Sequence, residues 1–340
     1  RDIKNNLAFR ESDTFIASFN RKNLFLEAVE KHNTYRQIRS CLNKYSRQSG
    51  IIYCHTRKEV DELSADLAAE GYSVKPYHAG LENEERNRNQ ELFIRDDVQI
   101  IVATIAFGMG INKPNVRFVI HNGLPKNIES YYQQVGRAGR DGLEAGCLLL
   151  YSEGDRKKIT YFIRQMKGTE QRAAQIHLEK MAAYAASGQC RRKPLLAYFG
   201  ETYEAEKCSM CDNCRESERE KQDITIPVQK FLSCLKRTGQ QFGMMHLIKV
   251  LRGSKAKQVR KHNHDQLSVH AIGKDLSNIQ WKHICRQLIA KKLIYKDMSW
   301  GILKITAAGE RFLKNRETCY GTLLPAAAGG GSGSASQPAC

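Results

Sequence analysis

These 340 residues predict an α/β domain built on a parallel sheet, then a helical segment bearing clustered cysteines, then a small three-helix module closed by a hairpin. Three observations carry that prediction. Short apolar runs alternate with single helical patterns up to about residue 152; three of the eleven cysteines then fall within seven residues; three more helical patterns precede a strand pair. Strands separated by single helices form parallel sheets covered on both faces, with ligands at the carboxyl ends of the strands.

The first strand is "GIIYCHT" (50–56), followed by the helical "RKEVDELSADLAAEG", which Gly71 closes. "YSVKPYHAG" supplies a second strand and a loop, and "ENEERNRNQELFIRDD" a polar helix. "VQIIVAT" (98–104), "VRFVIHNGLP" (116–125) and "GCLLLYS" (146–152) complete the strands, and "NIESYYQQVGRAG" reads as a helix with Asn127 as its N-cap. Residues 1–152 are therefore assigned to the α/β domain. Residues 153–222 hold "DRKKITYFIRQM" and "AAQIHLEKMAAYAAS", the cysteine cluster at 190–214 and a charged link, "RESEREKQD". In 223–318, "VQKFLSCLKRTG", "GMMHLIKVLRG" and "NIQWKHICRQLIAKKLI" precede the hairpin around "IYKDMSWGILKIT", the layout of a winged helix. Residues 319–340, with "AAAGGGSGSASQP", are expected to be a flexible linker to a further C-terminal domain.

Charge points to a polyanion. The net charge is +18 with pI ≈ 9.4, and residues 215–318 hold 22 Lys/Arg against 9 Asp/Glu, so most of the excess lies there. Nucleic acid is the first candidate partner and acidic lipid the second. No apolar run reaches the roughly 18 residues of a membrane span. "RDIKNNLAFRESD" is neither a signal nor a transit peptide. With no secretory signal, the cysteines indicate a reducing, cytoplasmic setting and a metal rather than disulfides.

Arg137 and Arg140 lie three apart in "YYQQVGRAGRDG" (131–142), near the end of a helix, so both can reach one site. Arginine offers a permanently charged planar fork suited to phosphate oxygens; pairing with a carboxylate such as Asp141 is the other use of the same spacing.

The pattern Gln133-x-x-Gly136-Arg137-x-x-Arg140 resembles the last helicase motif of superfamily-2 motors. "GIIYCHTRKEVDEL", "YHAGL", "VQIIVATIAFGMGINKPNVRFVIH" and "ESYYQQVGRAGRDG" stand in the order and spacing of the second RecA-like motor domain of RecQ-family DNA helicases. That resemblance runs from about Phe15 to Phe312. It implies a RecA-like lobe, a zinc-binding subdomain and a winged helix from a bacterial ATP-dependent helicase moving 3′ to 5′, with Gln133, Arg137 and Arg140 catalytic. It makes Arg140 an arginine finger for the γ-phosphate of ATP. It makes "ATIAFGMGINKP" the loop linking nucleotide state to DNA grip, with Thr104 on the DNA backbone and Gly108, Gly110 and Asn112 on the nucleotide side. Asn112 stands where many relatives carry Asp. His78 and Gly80 would lie against the single strand, and Arg57 beside it.

No G-x-x-x-x-G-K-[ST] occurs; "AIGKDL" lacks the first glycine and the hydroxyl, and Asp61-Glu62 sits in a helical pattern. The phosphate cradle and the magnesium-holding carboxylate are expected in a first motor lobe outside these residues, which would share ATP and Mg²⁺. By themselves the 340 residues are expected not to hydrolyse ATP.

Cys190, Cys208, Cys211 and Cys214 form C-x17-C-x2-C-x2-C. Four thiolates with no open position make a structural zinc site; a redox pair or an iron–sulfur cluster are the alternatives. "CRRKPLLAYFGE" and "CSMCDNC" also resemble the RecQ zinc subdomain. In the third module Lys249, Arg252, Lys255, Lys257, Arg260 and Lys261 offer a phosphate-tracking surface. Trp300, near the tip of "KDMSWGI", either stacks on the last base pair or folds back on the wing. His264 and His270 have no assigned role. A stand-alone DNA-binding module and a zinc-dependent transcription regulator are the competing functions; DNA with single-strand/duplex junctions is the expected substrate.

Overall fold

The computed structural model describes residues 17–104, 107, 111–217, 220–297 and 301–324, and Gly108, Gly110 and Trp300 lie outside them. Two compact units divide the chain, Arg1–Arg215 and Glu216–Cys340.

The first unit runs β1 (Leu24–Glu30), α1 (Thr34–Lys44), β2 (Gly50–Tyr53), α2 (Arg57–Ala69), β3 (Val74–Tyr77), α3 (Asn83–Ile94), β4 (Ile100–Ala103), β5 (Phe118–Asn122), α4 (Ile128–Val135), β6 (Ala145–Tyr151), α5 (Glu153–Ile163), α6 (Gly168–Ala186), α7 (Arg192–Tyr198) and α8 (Asp212–Ser217). Its six strands pair in parallel in the order β1-β6-β5-β2-β4-β3. Side chains alternate across the sheet. Ile51, Tyr53, Ile101, Val119 and Leu149 face one core, and Ile52, Val102, Ile120, Leu148 and Leu150 the other. Gly50 leaves room for the Phe118 ring beside it; a Cβ there would overlap the ring.

Strand β1 was not anticipated. "LFLEAVE" buries alternate residues only, as a sheet edge does, so it lacks the continuous apolar run of β2 or β4. The edge is covered: Leu26 N–H donates to the Met210 carbonyl at 3.1 Å, and Leu26 bridges Cys211.

The sequence boundary at 152/153 corresponds to no break in packing. Leu178, Met181 and Tyr184 of α6 share one core with Tyr131 and Val135 of α4 and with Cys190, Cys211 and Cys214. The helical segment and cysteine cluster belong to the same unit as the sheet.

The second unit holds β7 (Gln222–Asp223), α9 (Thr225–Arg237), α10 (Met244–Leu251), α11 (Lys257–Lys261), a 3₁₀ turn (His264–Gln266), α12 (Asn278–Ala290), β8 (Ile294–Lys296), β9 (Leu303–Ile305), α13 (Ala307–Asn315) and β10 (Tyr320–Gly321). Ser277 and Gln280 start α12 with a reciprocal capping box. Trp281 is wholly buried, and its indole N–H reaches the Gly273 carbonyl at 2.8 Å. His264 packs against His246, with Nδ1 and Nε2 2.8 Å apart.

Residues 319–340 are not all linker. β10 pairs antiparallel with β7, Cys319 and Thr322 are buried, and Gln280 Nε2 donates to the Leu324 carbonyl at 2.7 Å. Apolar periodicity is silent about a two-residue strand whose partner lies nearly a hundred residues away. Among the described residues no helix is long and apolar enough to cross a membrane.

Candidate functional site

Helix α4 begins at Asn127, whose side chain accepts from Ser130 N, and ends at Gly136. Beyond it Gly139 adopts φ +57, a left-handed conformation costly for any other residue type. Two residues that sequence reasoning missed hold this turn. Arg21 donates to the carbonyls of Ala138 and Gly139 at 3.1 and 2.8 Å, and Asn23 to those of Gly139 and Leu143 at 2.8 Å each. Both precede β1, so no local pattern could have signalled them. Arg21 also neutralises the carbonyl end of α4.

Asp141 is taken by another residue. Arg117 Nη2 donates to both its oxygens at 2.6 Å, and that guanidinium holds the Asp141 carboxyl below its usual range. Arg140 pairs with no carboxylate among the described residues; it is exposed, and donates to the Ile111 carbonyl at 2.9 Å and to Asn112 Oδ1 at 3.5 Å. Arg137 is half-buried against Tyr53. Burial pushes the Tyr53 phenol up to about 12, opposed by the charge and hydrogen bond of Arg137 and by the charge of Arg140. The same hydroxyl donates to the Phe107 carbonyl at 3.1 Å. The arginine motif thus grips the loop after β4 twice, through Tyr53 at Phe107 and through Arg140 at Ile111. Tyr53 had drawn no attention in the sequence beyond its place in a strand.

Gln133 is exposed, whereas its neighbour Gln134 is buried with Oε1 accepting from His121 Nε2 at 2.8 Å. Burial pushes His121 down to about 4, with the Gln134 bond partly opposing. The unfolded chain protonates this histidine near 6.5 while the folded one keeps it neutral to about 4. The unfolded state then binds more protons between those values, so stability is complete above pH 6.5 and falls on acidification. Urea unfolding of the first unit should lose at most about 3 kcal/mol over that window, and His121→Gln should flatten it.

Thr104 sits half-buried at the end of β4, its N–H on the Tyr77 carbonyl at 3.2 Å. Arg57, Gly80 and His78 come together: a Cβ on Gly80 would meet Arg57 Nη1 and His78 Nδ1, both at 3.1 Å. Arg57 is exposed at the start of α2. His78 is 4% exposed, so its expected contact with a single strand gives way to a different role. Its Nδ1 accepts from Gly80 N at 3.0 Å, which leaves Nε2–H to donate to Asp61 at 2.8 Å. The ring shapes the Gly80 turn from inside. Asp61 and Glu62 lie on α2, as the helical pattern implied.

The ligand sulfurs of Cys190, Cys208, Cys211 and Cys214 all lie within 4.8 Å of one another. Backbone N–H groups of Arg191, Cys214 and Cys208 point at Cys211, Cys211 and Cys214 sulfurs at 3.5, 3.4 and 3.3 Å, and Arg192 Nη1 at Cys208 Sγ at 3.3 Å. Donors aimed at sulfur favour thiolates, and four thiols fit a tetrahedral metal with no open coordination position. Arg191 and Arg192, both 3% exposed, clamp the cluster to the sheet. Arg191 forks onto Asp212 at 2.8 Å through Nε and Nη2, while Arg192 Nη2 meets the carbonyls of Arg21, Lys22 and Leu24. In the sequence they stood only within "CRRKPLLAYFGE", with no role of their own.

In the second unit Lys249, Arg252, Lys255, Lys257, Arg260 and Lys261 are all exposed, on α10, α11 and the turn between them.

Three family models match in order: the helicase conserved C-terminal domain over residues 33–142, RecQ zinc-binding over 153–215 and the RQC domain over 218–323. The chain is 42% identical over 290 residues to the ATP-dependent DNA helicase RecQ of Pasteurella multocida, covering 85% of this chain and 46% of that protein. The Haemophilus influenzae RecQ is 40% identical over 320 residues, covering 93% and 51%, and that of Bacillus subtilis 36% over 315 residues, covering 92% and 53%. The chain spans about half the length of these curated relatives.

Proposed function

Because the chain belongs to the RecQ family, carrying that family's helicase C-terminal, zinc-binding and RQC domains in order, we propose that it is the DNA-gripping, nucleotide-sensing part of an ATP-dependent 3′-to-5′ DNA helicase. The observation that carries this is the double hold of the arginine motif on the loop after β4, at Phe107 through Tyr53 and at Ile111 through Arg140.

In this scheme a RecA-like lobe outside these 340 residues presents ATP and Mg²⁺. Arg140, which pairs with no carboxylate among the described residues, turns to the γ-phosphate and stabilises charge as the bond to the leaving group breaks. A phosphate oxygen competes with the Ile111 carbonyl for the same guanidinium, and charge-assisted bonds to phosphate are the stronger. Arg137 stays on Tyr53, and Gln133 faces the same nucleotide. Gly108, Gly110 and Asn112 serve the nucleotide, and Thr104, Arg57 and Gly80 the DNA backbone. The four cysteines hold structural Zn²⁺. Lys249, Arg252, Lys255, Lys257, Arg260 and Lys261 track duplex phosphates beside a junction.

Supplying in trans a RecA-like lobe with a phosphate-binding loop should restore DNA-stimulated ATP hydrolysis. If hydrolysis is not restored while duplex binding persists, the chain is a DNA-binding module on a non-catalytic scaffold.

A further inference from the structure

The hairpin of α5 and α6 carries an exposed surface that the proposed chemistry leaves unused. From Arg156 to Lys167 the sequence "RKKITYFIRQMK" holds five basic residues and no acidic one. Within it Tyr161 and Phe162 are 64% and 63% exposed, and their rings meet edge to face at 5.7 Å. Met166, 45% exposed, follows in the turn.

Helical spacing orders these groups. Residues three or four apart stand one above the other on a helix. Lys157 and Tyr161 therefore stand in one row, which Arg164 at the helix end continues, and Lys158 and Phe162 in the next. Each ring has a lysine one turn before it, about 6 Å along the axis. Arg156 is bound to Glu179 at 2.7 Å and Lys158 reaches Glu59 at 3.6 Å. Lys157, Arg164 and Lys167 are exposed and make no ion pair among the described residues. Cations at the end of α5 also suit the helix dipole. The two rings have no such use, since each leaves most of its apolar face in water.

We infer that the exposed Tyr161–Phe162 pair, flanked by Lys157, Arg164 and Lys167, is a second nucleic-acid site that stacks unpaired bases and holds their phosphates. Three exposed cations, Lys157, Arg164 and Lys167, with no ion pair among the described residues select a polyanion over an apolar protein partner. Exposed ring faces select single strands over duplex, whose bases are already stacked. The choice of polymer rests on the proposed helicase function; the site itself does not involve the arginine motif or the nucleotide.

The test uses the 340-residue chain and a single-stranded oligonucleotide containing 2-aminopurine at low salt. Tyr161→Ala/Phe162→Ala should weaken binding about tenfold or more and remove the change in base fluorescence, while leaving the salt dependence and duplex affinity as they were. Lys157→Ala/Arg164→Ala should instead flatten the salt dependence. All four residues are exposed, and circular dichroism checks that the variants fold. Unchanged oligonucleotide affinity and fluorescence in the ring variant would overturn the inference, as would a change in self-association with no change in oligonucleotide binding. ATP hydrolysis restored in trans reads the helicase assignment separately, so either can fail alone.

Discussion

Arg140→Ala is expected to lower the DNA-stimulated ATP hydrolysis restored in trans by about 10³-fold or more, the usual cost of losing an arginine finger. DNA affinity should stay within about twofold, roughly 0.4 kcal/mol, because the contact proposed for the residue is with the nucleotide and not with DNA. Its exposure and its two bonds, to the Ile111 carbonyl and Asn112, make a folding defect a poor explanation for lost turnover. Arg140→Lys keeps the charge but loses the planar fork, so it should recover little. Arg117→Ala is the contrast. It frees Asp141, which then becomes available to the neighbouring arginines. Single-turnover hydrolysis at saturating DNA distinguishes these cases. If Arg140→Ala turns over ATP at the unmodified rate, the site near residue 140 does not meet a phosphate.

Removing the metal should have the second large effect. Structural zinc contributes roughly 10–16 kcal/mol of apparent binding energy where folding depends on it. Here part of the cluster's surroundings is already core, with Cys211 and Cys214 packed among sheet and α6 side chains. A net loss of about 4 kcal/mol from the first unit would lower its melting temperature by about 10 °C. Cys208→Ala should act alike, leaving Arg192 without its sulfur partner. The second unit has a separate core around Phe231, Leu247, Trp281 and Leu288, so its own transition should not move. Differential scanning calorimetry with and without a chelator resolves the two. Equal losses in both units, or none in the first, would contradict a local structural metal.

Much of the architecture was legible because it is written in local periodicity. β2, β4, β5 and β6 are buried on both faces and read as continuous apolar runs. The cysteine spacing was equally direct, since three ligands fall within one short segment and the fourth shares their chemistry. β1 escaped because an edge strand buries only half its residues. β10 escaped because two residues carry no period, and its pairing with β7 turned a supposed linker into part of the second unit.

The site divides the same way. Sequence alone determined which residue types stand where: paired arginines after a helix, four thiols with metal spacing, and a basic run in the last module. The tertiary structure decided what each one touches. It gave Asp141 to Arg117, turned His78 inward onto Gly80, tied Tyr53 to Phe107 and Arg137, and brought Arg21 and Asn23 under a turn more than a hundred residues away. Helical and strand periods report the burial of a residue's own element. Hydrogen bonds and ion pairs between distant segments depend on how those elements pack, which no single stretch of sequence records.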